Sequence, residues 1–353
     1  MLQPRERKGS SSPAAITSTA EFARYVGLAR TTVSRVLNGQ PGLKRKTIER
    51  VQRAMAETGF TPNAYALHLK GKRTAMIGVC MENLLTPPAV RKLAELQRNL
   101  RERGYTSLIE VMDPGEGRNV VRHFQSMRVE AIVFIGHFDL AEVTERVVEL
   151  TSQNLPHVFI DQVGVPGATS VTLDRRKAMM EVMHHLLKLG HQSFGLLGIS
   201  GTGRSTVDRL QGIEAALTEA NLRIAEATRS LDHLHPRDND FEYGRRLAAS
   251  FAQLKDRPSA FLALNDAIAI GAMHAFQGLG LTVPGDVSVT GFNNQDICEM
   301  TTPGLTSVDQ EVDTTVRTAT DLLLTRIGKP AGARALVRTI PPRLVIRGST
   351  GPV

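Results

Sequence analysis

The chain has 353 residues, of which 41% are hydrophobic, with two cysteines and a formal net charge of +8 at pH 7. That length supports two or three domains, each with its own core. Cys80 and Cys298 are too few for a metal-ligand cluster or a disulfide framework, and fit a reducing, cytoplasmic setting. No run of about 18 apolar residues predicts a transmembrane helix, and the opening MLQPRERKGSSSPAA lacks the apolar segment of a signal peptide.

Divided along the chain, the charge is uneven. Residues 1–75 carry 14 Lys and Arg against four acids, a balance of +10, whereas the remainder carries −2. A charge run is often only a solvated face. Concentrated in one short segment, it is also the footprint of a nucleic-acid-binding module.

Residues 1–15 read as a disordered basic tail. The next stretch, STAE (residues 18–21), is a capping box that opens a helix, with Phe22, Ala23 and Val26 on its apolar face. Gly27-Leu28-Ala29 interrupts the pattern. It resumes over Thr31 to Leu37, with Val33, Val36 and Leu37 inward and Asn38-Gly39 as the left-handed stop. A third helix runs from about Lys46 to Thr58, with Ile48, Val51 and Met55 inward and Gly59 ending it. Three short helices with one small shared core, the second and third separated by a tight turn, predict a helix-turn-helix module over residues 16–61.

The second helix is unusual. Thr and Ser are weak helix formers, yet Arg30, Thr31, Thr32, Ser34 and Arg35 crowd two turns of it. Arg addresses guanine O6 and N7 bidentately, and Thr offers a hydroxyl and a methyl to base edges. A merely solvated helix accounts for the packing side but not for the hydroxyls. Residues 62–73, TPNAYALHLKGKR less its first Thr, start with a Pro suited to a helical first turn. Such a short helix is marginal alone in water.

From Ala75 onward, apolar runs (AMIGVC, AIVFI, PHVFI, FGLLG, AFLAL, VSVT) alternate with amphipathic helices. That order predicts parallel sheets with helices on both faces, divided between two similar subdomains. Ligands of open α/β sheets bind beyond the carboxyl ends of the strands. The residues there are Met81-Glu82-Asn83, His137, Asp161, Ser200 to Ser205, Asn265-Asp266 and Asn293-Asn294.

GISGTGRS (198–205) is one step from a Walker A loop, with Arg204 where the phosphate-reaching Lys belongs. It reads as a tight turn whose N–H groups suit an anionic group of a ligand, rather than as a nucleotidase loop. His184-His185 falls within a helical stretch. No Ser sits in a nucleophile elbow, and no His, Cys and Glu share metal spacing, so neither an enzyme nor a cofactor is expected.

STAEFARYVGLARTTVSRVLNG (18–39) and TGFTPNAYALHLKGKRTAMIGV (58–79) resemble the lac repressor/gal repressor family of bacterial transcription regulators. The resemblance continues through HLLKLGHQSFGLLG, DRLQGIEAAL, ALNDAIAIGAMHAFQGLGLTVPGDVSVTGFNN, PGLTSVDQ and PRLVIRGST, so it covers nearly everything from Ile16 to Thr350 in order. It implies an α/β chain with an N-terminal three-helix module and hinge helix, followed by a periplasmic-binding-protein-like core (74–350). The first subdomain would take about 74–172 and 304–330, the second about 173–303 and 331–350.

By the same resemblance, Arg30, Thr31 and Arg35 read bases, while Thr32, Ser34 and Asn38 lie on the DNA backbone. Leu69, with Lys70 beside it, is the minor-groove wedge of a hinge helix that orders on the operator. His137, Asp161, Arg204, Arg209, Asn265 and Asn293 are the expected effector residues. The partners implied are double-stranded operator DNA, a small effector and a second copy of the chain. The chain departs from the family in Ala29, which replaces a capping Ser or Thr, in Leu67-His68 before the wedge, and in Asn293, which replaces an Asp. Loss of that carboxylate, with Arg209 kept, favours a sugar acid or phosphorylated sugar over a neutral sugar. The alternative function is a solute-binding or sugar-processing protein with an incidental basic extension.

Overall fold

The structure is a computed structural model. It describes residues 16–37, 40–61, 73–201, 204–231, 239–329 and 335–353, with the side chain of Arg204 excepted. The chain divides into two compact units, residues 1–74 and 75–353.

The first unit contains α1 (Thr19–Val26), α2 (Arg30–Leu37) and α3 (Arg45–Thr58). Ser18 and Glu21 form the capping box, and Gly27 ends α1 at a φ of 69°, a conformation that favours glycine. Phe22, Ala23, Val26, Val33, Val51 and Ala54 form its core, closed from below by Phe60, whose ring stacks on Phe22 at 4.3 Å. Val36, Leu37 and Met55 are only partly buried against this core. Phe60 and Ala54 carry packing that helix periodicity assigned elsewhere, because Phe60 lies past the helix end.

The second unit holds two six-stranded sheets. The first has the order β11-β5-β4-β3-β1-β2, with β1 (Met76–Met81), β2 (Thr106–Val111), β3 (Ala131–Ile135), β4 (His157–Ile160), β5 (Thr169–Leu173) and β11 (Val337–Ile340), all parallel. The second has the order β12-β10-β9-β8-β6-β7, with β6 (Phe194–Leu197), β7 (Thr228–Ser230), β8 (Ala260–Ala263), β9 (Ser288–Asn293), β10 (Thr306–Asp309) and β12 (Arg343–Val345). Only β12 runs antiparallel, against β10.

Both faces of these sheets are covered, which explains the unbroken apolar strands. In β3, Ala131, Val133 and Ile135 enter one core and Ile132 and Phe134 the other. The principal covering helices are α4 (Pro87–Glu102), α5 (Gly117–Ser126), α6 (Leu140–Ser152), α7 (Arg175–Lys188), α8 (Arg204–Glu219), α9 (Ile224–Ala227), α10 (Asp240–Ala252), α11 (Asp266–Gly278), α12 (Ile297–Met300) and α13 (Val312–Leu324). No helix among the described residues is long and apolar enough to cross a membrane.

The subdomain limits differ from those expected at 304 and 331. β10 belongs to the second sheet, α13 packs on the first, β11 completes the first and β12 the second. Among the described residues the chain therefore passes between the subdomains at 174, 310–311 and 341–342. The sequence hides these crossings because β10, β11 and β12 have three or four residues each and no apolar run.

Candidate functional sites

The first site is the outer face of α2. Val33 is fully buried, which by helical geometry turns Thr31 and Arg35, two positions to either side, outward. Arg30, one turn before Val33 at the helix start, is exposed as well, and Thr32 and Ser34 are half-buried. Arg35 donates from Nη2 to the carbonyl of Pro41 at 3.2 Å, which steadies its stem and leaves other guanidinium donors. Lys44, Arg45 and Lys46 stand at the start of α3, and Lys44 supplies no side-chain cap. Cations there oppose the helix dipole, so this end favours an anionic partner. Asn38, Leu69, Lys70 and the hinge segment 62–72 lie outside the described residues.

The second site is a cleft in the core unit with a cavity volume of about 150 Å³. His137 and Asp161, expected from their place after the strands, line it, and so does Arg209, expected from the family resemblance. Lys92, Arg175 and Gln310 line it too, and sequence reasoning missed all three. Four charged groups there are nearly waterless: Lys92 and Arg175 are 5% exposed, Arg209 6% and Asp161 7%.

Their pairing is uneven. Lys92 donates to Asp161 Oδ2 and, at 2.8 Å, to Gln310 Oε1. Arg175 donates to Asp161 Oδ1 at 3.0 Å and to Thr172 Oγ1 at 3.0 Å. Burial alone would raise the Asp161 carboxyl, but Lys92 and then Arg175 outweigh it and hold it well below the usual carboxylate range. Arg209 has no salt bridge among the described residues. Its guanidinium lies 4.3 Å from the centre of the Phe292 ring. Burial first, and Arg175 second, push it down to about 9. The Nε atoms of Arg175 and Arg209 and the Oδ1 of Asn83 are buried without a hydrogen-bond partner among the described residues.

α8 brings Arg209 to this place by close contact with α7. A Cβ on Gly212 would stand 2.2 Å from the carbonyl oxygen of Arg176, so only glycine lets the two helices approach. His137 lies at the mouth, and its backbone N–H donates to Glu82 at 2.7 Å. Although the residue reaches water, enclosure in the cleft, followed by the charge of Arg175, pushes its imidazole down to about 4, with Asp161 opposing.

Two expected effector residues do not line the cavity. The Asn265 carboxamide caps α11, accepting from the Ile268 N–H at 2.9 Å and donating to Asp240 at 2.8 Å. Asn293 accepts from Gln310, so it touches the site only through that residue. Asp161 has both oxygens occupied by cations, Lys92 on Oδ2 and Arg175 on Oδ1. Its backbone holds a φ of 73° and that of Asn293 a φ of 110°, conformations with a cost of roughly 1–3 kcal/mol that cluster at functional sites. Of the glycine loop, Gly198 and Gly201 adopt positive φ, Ser205 lines the cavity, and Thr202, Gly203 and the Arg204 side chain lie outside the described residues. His184 and His185 are committed to Glu219 and Thr350, each across a helix surface.

Comparison with known proteins gives the same division of the chain. Residues 20–63 match the model for bacterial regulatory proteins of the lacI family, and residues 183–350 match the periplasmic binding protein-like domain. The HTH-type transcriptional regulator DegA of Bacillus subtilis is 29% identical over 96% of this chain and 99% of its own length. Catabolite control protein A of Staphylococcus xylosus is 29% identical over 82% of this chain and 86% of its own. Among solved structures, the lac repressor dimer bound to operator and the anti-inducer ONPF superposes with a TM-score of 0.81. It is 27% identical and covers 95% of this chain and 99% of its own. These relatives are transcriptional regulators, and the chain carries the DNA-binding domain of the lacI family of bacterial regulatory proteins ahead of a periplasmic binding protein-like domain.

Proposed function

We propose that the chain is a homodimeric, cytoplasmic repressor of a pseudo-palindromic operator, controlled by a small anionic sugar derivative, either a sugar acid or a phosphorylated sugar. The observation that carries the effector class is the excess of buried cations in the cleft: Lys92, Arg175 and Arg209 face a single buried carboxylate, Asp161. Buried charge without a counter-ion is costly, and an incoming anion supplies one. The volume of about 150 Å³ lies below the range of drug-sized ligands, which suits a small sugar derivative. The dimeric, operator-bound lac repressor supports the assembly, because one recognition helix reads only a few base pairs and two-fold symmetry doubles the site.

In this reading Arg30, Thr31 and Arg35 read bases in the major groove, Thr32, Ser34 and Asn38 hold the backbone, and Leu69 wedges the minor groove beside Lys70. His137 and Arg209 hold the effector, with Arg204 adjoining, while Asp161, Asn265 and Asn293 shape the site around it. Arg35→Ala is expected to relax base preference at one position per half-site, at a cost of roughly 1–3 kcal/mol. Leu69→Ala should weaken operator binding more than binding to random DNA, since a wedge acts on one particular step. Quantitative mobility shifts on both DNAs check this, and equal losses for both variants would contradict the assignment.

The effector class is tested by calorimetric titration with gluconate, hexose phosphates and neutral hexoses, with operator release followed in parallel. Tightest binding by a neutral hexose that releases the operator would overturn the charge argument. A solute-binding protein with an incidental basic extension would keep its ligand affinity and show no sequence-specific DNA binding. Deletion of residues 1–73 separates the two readings.

A further inference from the structure

The cleft is polarised along the sheet order β5-β4-β3-β1. On the β5–β4 side stand the donors Arg175 and Lys92, both bound to Asp161, with Arg209 contributed by α8. On the other stand acceptors at the carboxyl end of β1: the Glu82 carboxylate, which already accepts the His137 N–H, and the Oδ1 of Asn83, buried and unpartnered among the described residues. An anion is repelled from the Glu82 end and drawn to the arginines, while hydroxyl groups suit Asn83 and Glu82 as donors.

The charges also distinguish among anions. The deeply buried groups are three cations and one carboxylate, so Asp161 neutralises one cation and leaves a surplus of two. A monocarboxylate halves that surplus. A phosphate monoester, with roughly −1.5 to −2 charges near neutral pH, removes nearly all of it and brings three acceptor oxygens. The Arg209 guanidinium, which has no salt bridge among the described residues, can take two of those oxygens bidentately, with Arg175 and Lys92 adding charge beside it.

We propose that the effector is a phosphorylated polyol, its phosphate held by Arg175 and Arg209 beside Lys92 and its hydroxyls directed to Asn83 and Glu82. This deepens the anionic-effector reading and rests on it. Arg175 and Lys92 are then specificity residues for the dianion, and Asp161 is their resident counter-ion in the empty site.

The test uses the full chain at about pH 7.5, where phosphate is largely dianionic, and at constant ionic strength. Inorganic phosphate is expected to raise the melting temperature saturably, and acetate to have no such effect. Arg175→Gln and Arg209→Gln should each weaken phosphate binding by at least about tenfold in calorimetry, as loss of a charge-assisted contact requires. Asn83→Ala should weaken glycerol 3-phosphate by a larger factor than it weakens inorganic phosphate. Circular dichroism of each variant guards against misfolding, and either arginine variant suffices.

Equal effects of phosphate and acetate, or phosphate binding unchanged in a folded arginine variant, would overturn the proposal. Gluconate binding that depends on Arg209, without phosphate binding, would sink the dianion and leave the anionic effector standing. Glucose binding alone would remove both. Operator binding, measured on the same samples, reports separately on the regulator.

Discussion

Replacing Arg209 by Met is expected to abolish the effector response while making the empty core more stable. The two effects have one cause. Arg209 is buried beside Arg175 without a salt bridge among the described residues, and burial with that neighbour pushes its guanidinium down. An apolar side chain of similar length removes the repulsion, keeps contact with Phe292, and leaves Asp161 facing two cations, Lys92 and Arg175, rather than three. Replacements of buried ionic groups by apolar ones stabilise by roughly 1–4 kcal/mol where packing is kept, and a gain at the lower end is expected here. Chemical denaturation without effector measures it. The operator affinity of the same variant should no longer change at effector concentrations that change that of the wild type. A variant less stable than the wild type, or one whose operator binding still responds to effector, would show that the arginine is structural rather than held ready for an anion.

The opposite outcome is expected for Asp161→Ala. This change strands Lys92 and Arg175 in the cleft together with Arg209, and removal of one partner from a buried pair typically costs 3–5 kcal/mol. The Asp161 carboxyl is held well below its ordinary range in the folded chain. Its contribution is therefore fully present above the unfolded value of about 3.9 and is lost as pH falls below it. The wild type should lose stability in that acidic window, and the variant should show a flatter profile there. Adding Lys92→Met to Asp161→Ala should recover part of the loss by removing one stranded cation. If the single variant matches the wild type in denaturant, the ion pairs contribute nothing net.

Much of this site was open to reading and some of it was not, for reasons that differ by residue. β3 and β8 were legible because doubly covered strands spell unbroken apolar runs, and Asp161 was legible because it follows one. The capping box at Ser18 and the glycine stops at Gly27 and Gly59 were legible because caps are local. Lys92 was not. It sits in a helix with five other charged residues from Arg91 to Glu102, and its partners Asp161 and Gln310 stand 69 and 218 residues away. Arg175 begins a helix, where a cation ordinarily faces water. Asn265 and Asn293 stand at strand ends just as Asp161 does, and only their hydrogen bonds reveal that helix capping and Gln310 have taken their side chains. Strand position finds the rim of a cleft, and long-range partners decide which rim residues are free to face a ligand.

The repeated passage of the chain between the two sheets bears on synthesis. β11, the edge of the first sheet, and β12, the edge of the second, are both made after residue 336. Neither sheet is whole until its edge strand, ending at Ile340 or Val345, has left the ribosome, so the core cannot be finished one subdomain at a time. The unit of residues 1–74 depends on nothing made later for its small core of Phe22, Val33, Val51 and Phe60. Because domains generally fold in order of emergence, the DNA-reading module is complete while its sensor is still missing strands. A message cut short before the codon for Val337 would therefore yield a folded recognition module attached to a core that lacks one edge strand in each sheet.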